Sequence, residues 1–471
     1  MTITRRAVTI GGILFLMPSS SVFAQTSTPL TDKELDAPFV RRRAVDAAVW
    51  AIPILNFDAM RQAYFRDGGA KYNDIIWWPK ASTWKNQSLT VNTSVRYMYT
   101  FSNTREDGPV VIDLPPAVGG ASFYGTIENA WFVPLVDIGL EGKGGKYLIL
   151  PPDYNAEVPP GYISVRPKTY NTGTLVRSIL ASNSEEDVRK GDELVQQVKI
   201  YALNKANNPP TQKFVDMTDI VYDGLIRYDE SLYTSLARMV DEEPVQPRDL
   251  EMMGMILPLG IEKGKEFKPD NATATQLRGA AGEAKAWLRD KLVSDVTEWW
   301  PGSQWKVPAP PIAPATEFHW EVPNYFDVDS RAIALSSFFA PTAKLGSSSF
   351  YLGTYHDGSG NRLRGENTYR LRVPANVPVR EFWALTAYDL ETAALFRNSD
   401  RPTLDSLDEK MRKNADGSVD LYIGPKAPAG QDSNWIYTPP AKMWFPWFRL
   451  YGPEKAVLDK TWKLPDIEQV S

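Results

Sequence analysis

The chain lacks cysteine altogether: none occurs among its 471 residues. Disulfide bonds, thiolate metal sites, iron–sulfur clusters and cysteine nucleophiles are therefore excluded, because each requires a cysteine sulfur. Folding in an oxidising compartment would permit disulfides, and this chain has to be stabilised without them.

Histidine is nearly as scarce. His319 and His356 are the two histidines of the chain, and they lie far apart in sequence. One chain therefore cannot supply the three histidines of a common zinc site, and no His-Glu-x-x-His pair is present. A two-histidine, one-carboxylate iron site is possible by count, although the usual close His-x-Asp spacing is missing. We expect no bound metal and no tightly bound cofactor.

Several motifs of well-known enzymes are also missing. The sequence contains no phosphate loop, no dinucleotide-binding fingerprint and no Gly-x-Ser-x-Gly nucleophile elbow. The net charge of -5 is mild and no long basic run occurs, so nucleic acid is not an expected partner. These absences exclude whole classes of function without naming a reaction.

A long apolar run occurs only near the N-terminus. Arg5 and Arg6 precede an apolar stretch at 7–17, and small residues lead up to Ala24. A charged start, a short apolar run and a small residue before a cleavage point predict a secretory signal peptide over 1–24. The arginine pair partly matches the twin-arginine export pattern, but a general secretion signal also begins with positive charge, so both routes stay open. We expect a soluble periplasmic or secreted protein with no integral membrane segment after cleavage.

Hydrophobic periodicity predicts a leading helix followed by strands. Apolar residues recur at three- and four-residue steps over 36–66, which is typical of a helix that Pro53 should end or kink. Short β-branched and aromatic runs between 95 and 150, separated by Pro/Gly turns, favour a sandwich or barrel. Further strands are predicted in the C-terminal part, where the continuous apolar run at 382–388 should be a central strand, buried on both faces.

The middle of the chain has a different pattern. Two apolar stripes predict core-facing helices, and they consist of Leu232, Leu236, Met239 and Val240, and of Leu277, Ala281, Ala284, Leu288 and Leu292. The proline-rich stretch at 301–314 is typical of a connector between domains.

A chain of this length exceeds the size that one hydrophobic core usually serves. We therefore expect a mainly β protein with α structure (α+β), built as two β-sandwich or jelly-roll-like lobes joined by a helical middle segment. The predicted divisions are the signal peptide at 1–24, an N-terminal β domain with its leading helix at 25–190, a helical connecting region at 191–300, the linker at 301–314 and a C-terminal β domain at 315–471.

Short motifs in both halves occur in the order typical of known bacterial domains. In the C-terminal third they are DGSGN at 357–361, GENTY at 365–369, EFWALTAYD at 381–389, NADGSV at 414–419, NW at 434–435 and RLYGP at 449–453. Through them this third resembles the family DUF1214, a domain of unknown function. The N-terminal half resembles the companion DUF1254 domain through WAIPI at 50–54, GPVV at 108–111 and KYLI at 146–149, and GIEKGKEF at 260–267 is similar to the family's linking segment. The resemblance implies two sandwich-like lobes and brings no chemistry with it.

The N-terminal half departs from the family pattern at two places. Thr93, Ser94 and Val95 stand where the family usually has an Asn-Asp-Thr step before the tyrosine, here Tyr97. An aspartate near Trp131 is replaced by asparagine at 129. If those acids serve the family's function, this chain has changed or lost it.

Candidate functional residues cluster at the ends of the predicted C-terminal strands. Tyr388, Asp389 and His356 are the predicted acid/base groups, since two of them leave a buried strand and the third precedes a glycine turn. Asn434, Trp435 and Arg449 are predicted ligand-binding residues of the same cavity.

Carboxylate pairs at 327/329 and 389/391 favour a second chemistry. Alternate residues of a strand share a face, so each pair could point into one cleft. Two such acids suit glycoside hydrolysis, and the chain's 15 tryptophans suit stacking against sugar rings.

Three functions follow from these patterns. The first is a hydrolase or lyase that acts on a small organic or sugar-like substrate in a cleft between the β lobes. The second is a non-catalytic protein that binds a small ligand or serves the envelope. The third is a metal-dependent β-barrel enzyme. Assembly into a homo-oligomer stays open.

Overall fold

A computed structural model describes residues 32–182, 184–343 and 349–470. The chain is of mixed α and β class with several sheets, and its 28% helix and 26% strand correct the expectation of a mainly β protein. The predicted signal peptide at 1–24 lies outside the described residues. Within those residues, no helix combines the length and hydropathy needed to span a bilayer.

Two sheets form most of the N-terminal half. Met98 of the six-stranded sheet and Ile112 of the four-stranded sheet belong to one buried cluster, so the sheets face each other across a shared core. In spatial order, the strands of the larger sheet are Phe214–Asp216, Ile75–Trp77, Arg96–Asn103, Asn171–Ile179, Ser122–Asn129 and Pro134–Ile138. Those of the smaller sheet are Lys199–Ala202, Val110–Leu114, Gly145–Ile149 and Ile163–Val165.

The C-terminal half repeats this arrangement with its own pair of sheets. Leu385 and Leu421, one from each sheet, share a second buried cluster. The larger sheet contains Thr297–Glu298, Lys306–Val307, Ser349–Gly353, Trp444–Tyr451, Trp383–Asp389 and Thr403–Asp405. The smaller contains Trp435–Tyr437, Val419–Gly424, Tyr369–Val373 and Glu468–Gln469. The strand Trp383–Asp389 is buried along its whole length, which confirms the prediction of a central strand.

Two short strand pairs and the helices complete the fold. Asn86–Gln87 pairs with Tyr222–Asp223, and Glu321–Val322 pairs with Tyr325–Phe326. The α-helices are Asp32–Gly68, Thr104–Asp107, Glu185–Val195, Ser231–Glu242, Leu250–Ile256, Asn271–Ser294, Ile312–Ala315, Val328–Leu335 and Lys455–Leu458. Short 3-10 turns lie at Leu140–Gly142, Leu203–Lys205, Pro247–Asp249, Leu257–Leu259 and Asp432–Asn434.

The predicted helical stripes are confirmed. Leu236 and Leu288, on two different helices, are fully buried in one cluster with Ala44 of the first helix. The same cluster also contains Tyr388 and Trp447 from the C-terminal sheets. The helical layer therefore packs against both halves of the chain.

The first helix does not end at Pro53 but continues to Gly68. Proline removes a backbone donor and weakens the turn before it. Here, Nη2 of Arg331 donates to the carbonyl of Trp50 at 2.6 Å, within that turn. Nearly every residue from 44 to 64 is buried or partly buried, so tertiary packing overrides the proline.

The domain boundaries proposed from the sequence stay predictions. Within the proline-rich stretch at 301–314, Trp305 is fully buried and its indole N–H donates to the carbonyl of Pro465 at 2.8 Å. This stretch also supplies the strand Lys306–Val307 to the C-terminal sheet. Although it is rich in proline, it packs into the fold.

Candidate binding cavity

A cavity of about 160 Å³ lies between the two halves of the chain. A space of about 150 Å³ is enough to hold a molecule the size of benzene. Strands from both halves form its walls. They are Arg96–Asn103 and Asn171–Ile179 from the N-terminal half, and Ser349–Gly353 and Trp444–Tyr451 from the C-terminal half.

Most of the cavity wall is apolar and aromatic. Leu89, Leu175, Trp78, Phe338, Phe339, Phe350 and Trp447 are among its lining residues. Apolar walls favour the apolar part of a ligand, and the few polar groups then decide its orientation.

Two arginines and two tyrosines form one polar part of the cavity, which we call the cationic end: Arg177, Arg449, Tyr97 and Tyr351. Nε of Arg177 donates to Oη of Tyr97 at 3.3 Å, and its Nη2 donates to Oη of Tyr351 at 3.2 Å. The guanidinium carbon of Arg449 lies 5.2 Å from the centre of the Tyr351 ring. Both cations therefore converge on the Tyr351 side chain.

Arg449 is 1% exposed and forms hydrogen bonds to neutral groups. Its Nη1 donates to Oγ1 of Thr386 at 3.1 Å, and its Nη2 donates to the carbonyl of Thr90 at 2.7 Å. Within the described part of the chain, its Nε is buried with no hydrogen-bond partner. Burial alone would lower the pKa of Arg449, but Tyr388 and the other neighbouring tyrosines hold it above its usual value. The cavity thus contains a permanent positive charge.

The pKa of Tyr351 differs from that of the tyrosines around it. Burial raises it, but Arg177 and Arg449 outweigh burial and bring it below the usual value. Burial raises the pKa of Tyr97, and it raises that of Tyr388 to about 12. Tyr351 is therefore the tyrosine of this group that ionises most easily.

A second polar part of the cavity, the hydroxyl cluster, consists of Tyr64, Ser88, Tyr99 and Tyr222. Oγ of Ser88 lies 3.4 Å from the hydroxyl oxygens of both Tyr64 and Tyr222. Tyr99 is two residues from Tyr97 on the same strand face, about 7 Å away. One small ligand could therefore contact both the cationic end and the hydroxyl cluster.

Behind Tyr99 lies a buried carboxyl group. The hydroxyl of Tyr99 donates to Oε1 of Glu128 at 2.8 Å, and Glu128 is 0% exposed. Burial raises the pKa of Glu128 to about 8, although the bond from Tyr99 opposes this. Gly173 makes room for the pair, because a Cβ atom there would lie 2.0 Å from the Tyr99 hydroxyl.

The structure does not bring the predicted acid/base residues together. Tyr388 is fully buried and donates to the carbonyls of Thr90 and Val91, at 3.2 and 2.8 Å. Asp389 follows it on the strand and so points to the opposite face. There it pairs with Lys442 at 3.0 Å.

His356 lies in a third environment. It forms an isolated bridge with Arg362 at the turn after the strand Ser349–Gly353. Burial and then Arg362 lower its pKa.

Two of the three predicted ligand-binding residues hold loops in place. The amide nitrogen of Asn434 donates to the carbonyls of Arg412 and Asp420, at 2.8 and 3.0 Å. The indole N–H of Trp435 donates to the carbonyl of Gly424 at 3.0 Å. Of the six predicted acid/base and ligand-binding residues, Arg449 alone lines the cavity.

Members of both carboxylate pairs have structural partners of their own. Asp327 caps the helix Val328–Leu335 by accepting from the backbone N–H of Ser330 at 2.9 Å, so this pair does not lie on a strand. Glu391 forms an ion pair with Lys285 on the surface. Among the described residues, no group of three or more His, Asp or Glu side chains is placed to hold a metal ion.

Sequence reasoning missed Arg177, Tyr351 and Glu128. One signal was available for the first: an arginine at 177 interrupts the otherwise strand-forming run TLVRSI at 174–179. A long cation inside such a run indicates either an edge or a polar cavity. No comparable signal distinguishes Tyr351 from the other tyrosines.

Comparison with family models identifies two domains in the chain. The model described as "Protein of unknown function (DUF1254)" matches residues 72–202, and "Protein of unknown function (DUF1214)" matches residues 348–455. The chain contains a DUF1254 domain and a DUF1214 domain. Each domain of this DUF1254/DUF1214 protein borders the cavity, since Tyr97 lies in the first matched range and Arg449 in the second.

Two solved structures are similar to the DUF1254/DUF1214 protein. The VPA0106 protein from Vibrio parahaemolyticus is 16% identical with a TM-score of 0.53, and the alignment covers 92% of this chain and 100% of that one. An uncharacterized protein from Burkholderia cenocepacia is 14% identical with a TM-score of 0.41, covering 92% and 95%. The first likeness shows a shared fold. No curated protein matches the chain.

Proposed function

We propose that this DUF1254/DUF1214 protein is exported and binds a small organic acid in the cavity between two sandwich-like lobes. The carboxylate lies at the cationic end, and the apolar body lies among the aromatic walls. The observation that carries the proposal is Arg449, a fully buried guanidinium whose hydrogen bonds go to a hydroxyl and a carbonyl.

The charge of the cavity selects an anion. A buried charge is costly unless an opposite charge or strong hydrogen bonds compensate it. A guanidinium carries five N–H donors in a planar fork that fits a carboxylate. Two donors of Arg449 are used by Thr90 and Thr386, and its Nε has no partner within the described residues. A ligand carboxylate supplies the charge that these neutral partners do not.

The apolar walls favour an aromatic or short aliphatic acid over a sugar. Sugar hydroxyls need many polar partners, whereas the side chains of Leu89, Phe338 and Phe339 offer none on their side of the cavity. The tyrosine hydroxyls of the hydroxyl cluster can form hydrogen bonds with one more polar substituent of the ligand. The sugar-like substrate expected from the sequence is therefore less well supported than a small organic acid.

Ligand binding is better supported than a hydrolysis reaction in which the predicted acid/base residues take part. Tyr388, Asp389 and His356 lie in three separate environments, so a shared acid/base site for them has no support. The metal-dependent alternative has no cluster of ligating side chains among the described residues.

Calorimetric titration with matched acids and amides tests the proposal. We expect benzoate, phenylacetate and hexanoate to bind, and the corresponding amides to bind at least about tenfold more weakly, because a charge-assisted hydrogen bond is lost. Trp78 and Trp447 line the cavity, so tryptophan fluorescence gives an independent signal. Equal affinity for acids and amides, or no binding of either, would contradict the proposal.

The variant Arg449→Met is the direct test of the cationic end, and Arg397→Met is its matched control. Arg397 forms an ion pair with Asp223 at 2.7 Å on the surface, with 51% of its side chain exposed. Loss of binding in the first variant and unchanged binding in the second are expected. Export is tested separately: the N-terminal sequence of protein from the cell envelope should begin at Gln25.

A further inference from the structure

We infer that Tyr351 is a general base that removes the α-proton of the carboxylate bound at the cationic end, the first step of a β-elimination. The inference rests on the proposed function, and it turns a binding cavity into a lyase site for small organic acids.

The position of the tyrosine carries the argument. Tyr351 lines the cavity from the strand Ser349–Gly353, and its ring lies 5.6 Å from that of Trp447. Its hydroxyl oxygen accepts from Nη2 of Arg177 at 3.2 Å. The α-carbon of an acid is one bond, about 1.5 Å, from its carboxylate. A ligand with its carboxylate on Arg177 would therefore have its α-proton within reach of the same hydroxyl oxygen.

The charges around Tyr351 favour its anionic form. Arg177 and Arg449 are the cations that face it, and its other titratable neighbours are Tyr97, Tyr388 and Tyr451. Burial raises the pKa of each of these three tyrosines. One further carboxyl group, that of Glu381, interacts with Arg177, and burial raises its pKa. The two cations thus stabilise a tyrosinate at Tyr351 in preference to its neighbours.

The proposed step balances without an added reagent. Oη of Tyr351 forms an O–H bond with the α-proton, and the C–H electron pair is shared with the carboxylate, where the guanidinium groups stabilise the added charge. That pair then forms a C=C bond while the bond from the β-carbon to the leaving group breaks. The leaving group departs with those electrons and is neutralised by the proton on Tyr351. The products are an unsaturated acid and the protonated leaving group.

The other candidate groups are less suited to this role. Tyr388 uses its hydroxyl to bond two carbonyls and is not among the residues that line the cavity. Glu128 lies behind Tyr99, and burial raises its pKa to about 8, so it is protonated near neutral pH. Tyr97 also borders the cavity near both cations, but burial raises its pKa. Tyr351 is the cavity tyrosine at which the two cations outweigh burial.

Hydrogen exchange tests the base separately from binding. Phenylacetate has α-protons and no β-leaving group, so its reaction stops at exchange in deuterated water, which NMR detects. We expect exchange with the wild-type protein and at least about 100-fold slower exchange with Tyr351→Phe, the usual contribution of a general base. Affinity for phenylacetate should not fall, because Arg177 and Arg449 are retained. Tyr388→Phe should exchange like wild type, since Tyr388 does not line the cavity.

Each outcome separates the two proposals. Binding of phenylacetate without exchange in the wild type, or equal exchange in Tyr351→Phe, would overturn the role of Tyr351 and leave the binding site standing. Failure of the wild type to bind any of the acids would overturn the binding site first.

An ultraviolet pH titration provides a readout that does not depend on turnover. We expect one tyrosinate to form below the pH at which the other tyrosines ionise, and this signal to be absent in Tyr351→Phe and present in Tyr388→Phe. A signal that survives in Tyr351→Phe would assign the ionisation to another tyrosine and contradict the inference.

Discussion

Arg61 and Arg449 are both almost completely buried, yet their surroundings differ. Nη2 of Arg61 lies 2.7 Å from Oδ1 of Asp58, and its Nη1 lies 2.6 Å from Oε2 of Glu242. Arg449 has Thr90 and Thr386 as hydrogen-bond partners and tyrosine rings around it. Carboxylates neutralise the first cation, whereas the hydrogen-bond partners of the second include no carboxylate within the described residues.

The difference indicates what each arginine is for. A buried cation with its own carboxylates is satisfied before any ligand arrives, so its role is to join the first helix to the helix Ser231–Glu242. A buried cation that borders a cavity and has no carboxylate partner has its charge compensated fully only when an anion binds in the cavity. Three Arg→Met variants and one carboxyl variant examine this contrast, starting with the largest expected effect.

Arg61→Met should lower the free energy of unfolding by about 3–5 kcal/mol, because it leaves Asp58 as a buried charge that has lost a partner. Asp58 is 0% exposed. Chemical denaturation measures the effect. A loss below about 1 kcal/mol would show that Arg238, which also pairs with Asp58, compensates and that the contrast with Arg449 is weaker than proposed.

Glu128→Gln should change how stability depends on pH. The pKa of Glu128 is raised from 4.5 to about 8 in the folded protein, so between these values the folded state holds a proton that the unfolded state has released. Its contribution to stability is therefore fully present below pH 4.5 and is lost as the pH rises toward about 8, at about 1.4 kcal/mol per pH unit.

Denaturation of wild type and Glu128→Gln across this pH range tests the prediction. The variant should become more stable relative to wild type as the pH rises, since its amide is neutral throughout. A constant difference between the two proteins would show that Glu128 is already ionised in the folded state.

Arg449→Met should weaken binding of organic acids about 100-fold, the effect of removing one partner of a buried charge-assisted hydrogen bond. Its effect on unfolding should be smaller than that of Arg61→Met, because removing an uncompensated charge also removes its desolvation cost. Calorimetry and denaturation on the same samples measure both quantities. The reverse pattern, strong destabilisation with binding intact, would make Arg449 a structural residue.

Arg397→Met should have the smallest effect. Its ion pair with Asp223 is exposed, and such pairs contribute about 0–1 kcal/mol. Denaturation measures it, and a loss comparable to that of Arg61→Met would break the distinction between buried and exposed pairs in this protein.

The sequence predicts local elements of the fold well. The stripe of Leu232, Leu236 and Met239 is buried on one helix face, and the run at 382–388 forms a buried strand. The spacing of apolar residues predicts these buried faces, because the residues on one face of a helix or strand recur at a fixed interval. The continuation of the first helix through Pro53 escaped this reasoning, because a distant arginine, Arg331, bonds the weakened turn.

The site was only partly predictable. Arg449 was expected to line a cavity, but its partners Arg177 and Tyr351 come from strands that pair with residues far away in sequence. Tyr351 pairs with Arg449, and Arg177 pairs with Tyr97 and Tyr124. Those strand pairings bring the two arginines into one cavity, and no sequence motif predicts the pairings. Adjacent residues such as Tyr388 and Asp389 share a motif yet point to opposite faces.

The cationic end is assembled from two parts of the chain, with Arg177 from the N-terminal sheets and Arg449 from the C-terminal ones. A ligand that contacts both arginines links the two halves, so its binding free energy adds to the stability of the folded chain. Saturating ligand should therefore raise the melting temperature of the whole chain as one cooperative unit. Either half expressed by itself would contain one of the two arginines and only part of the cavity wall.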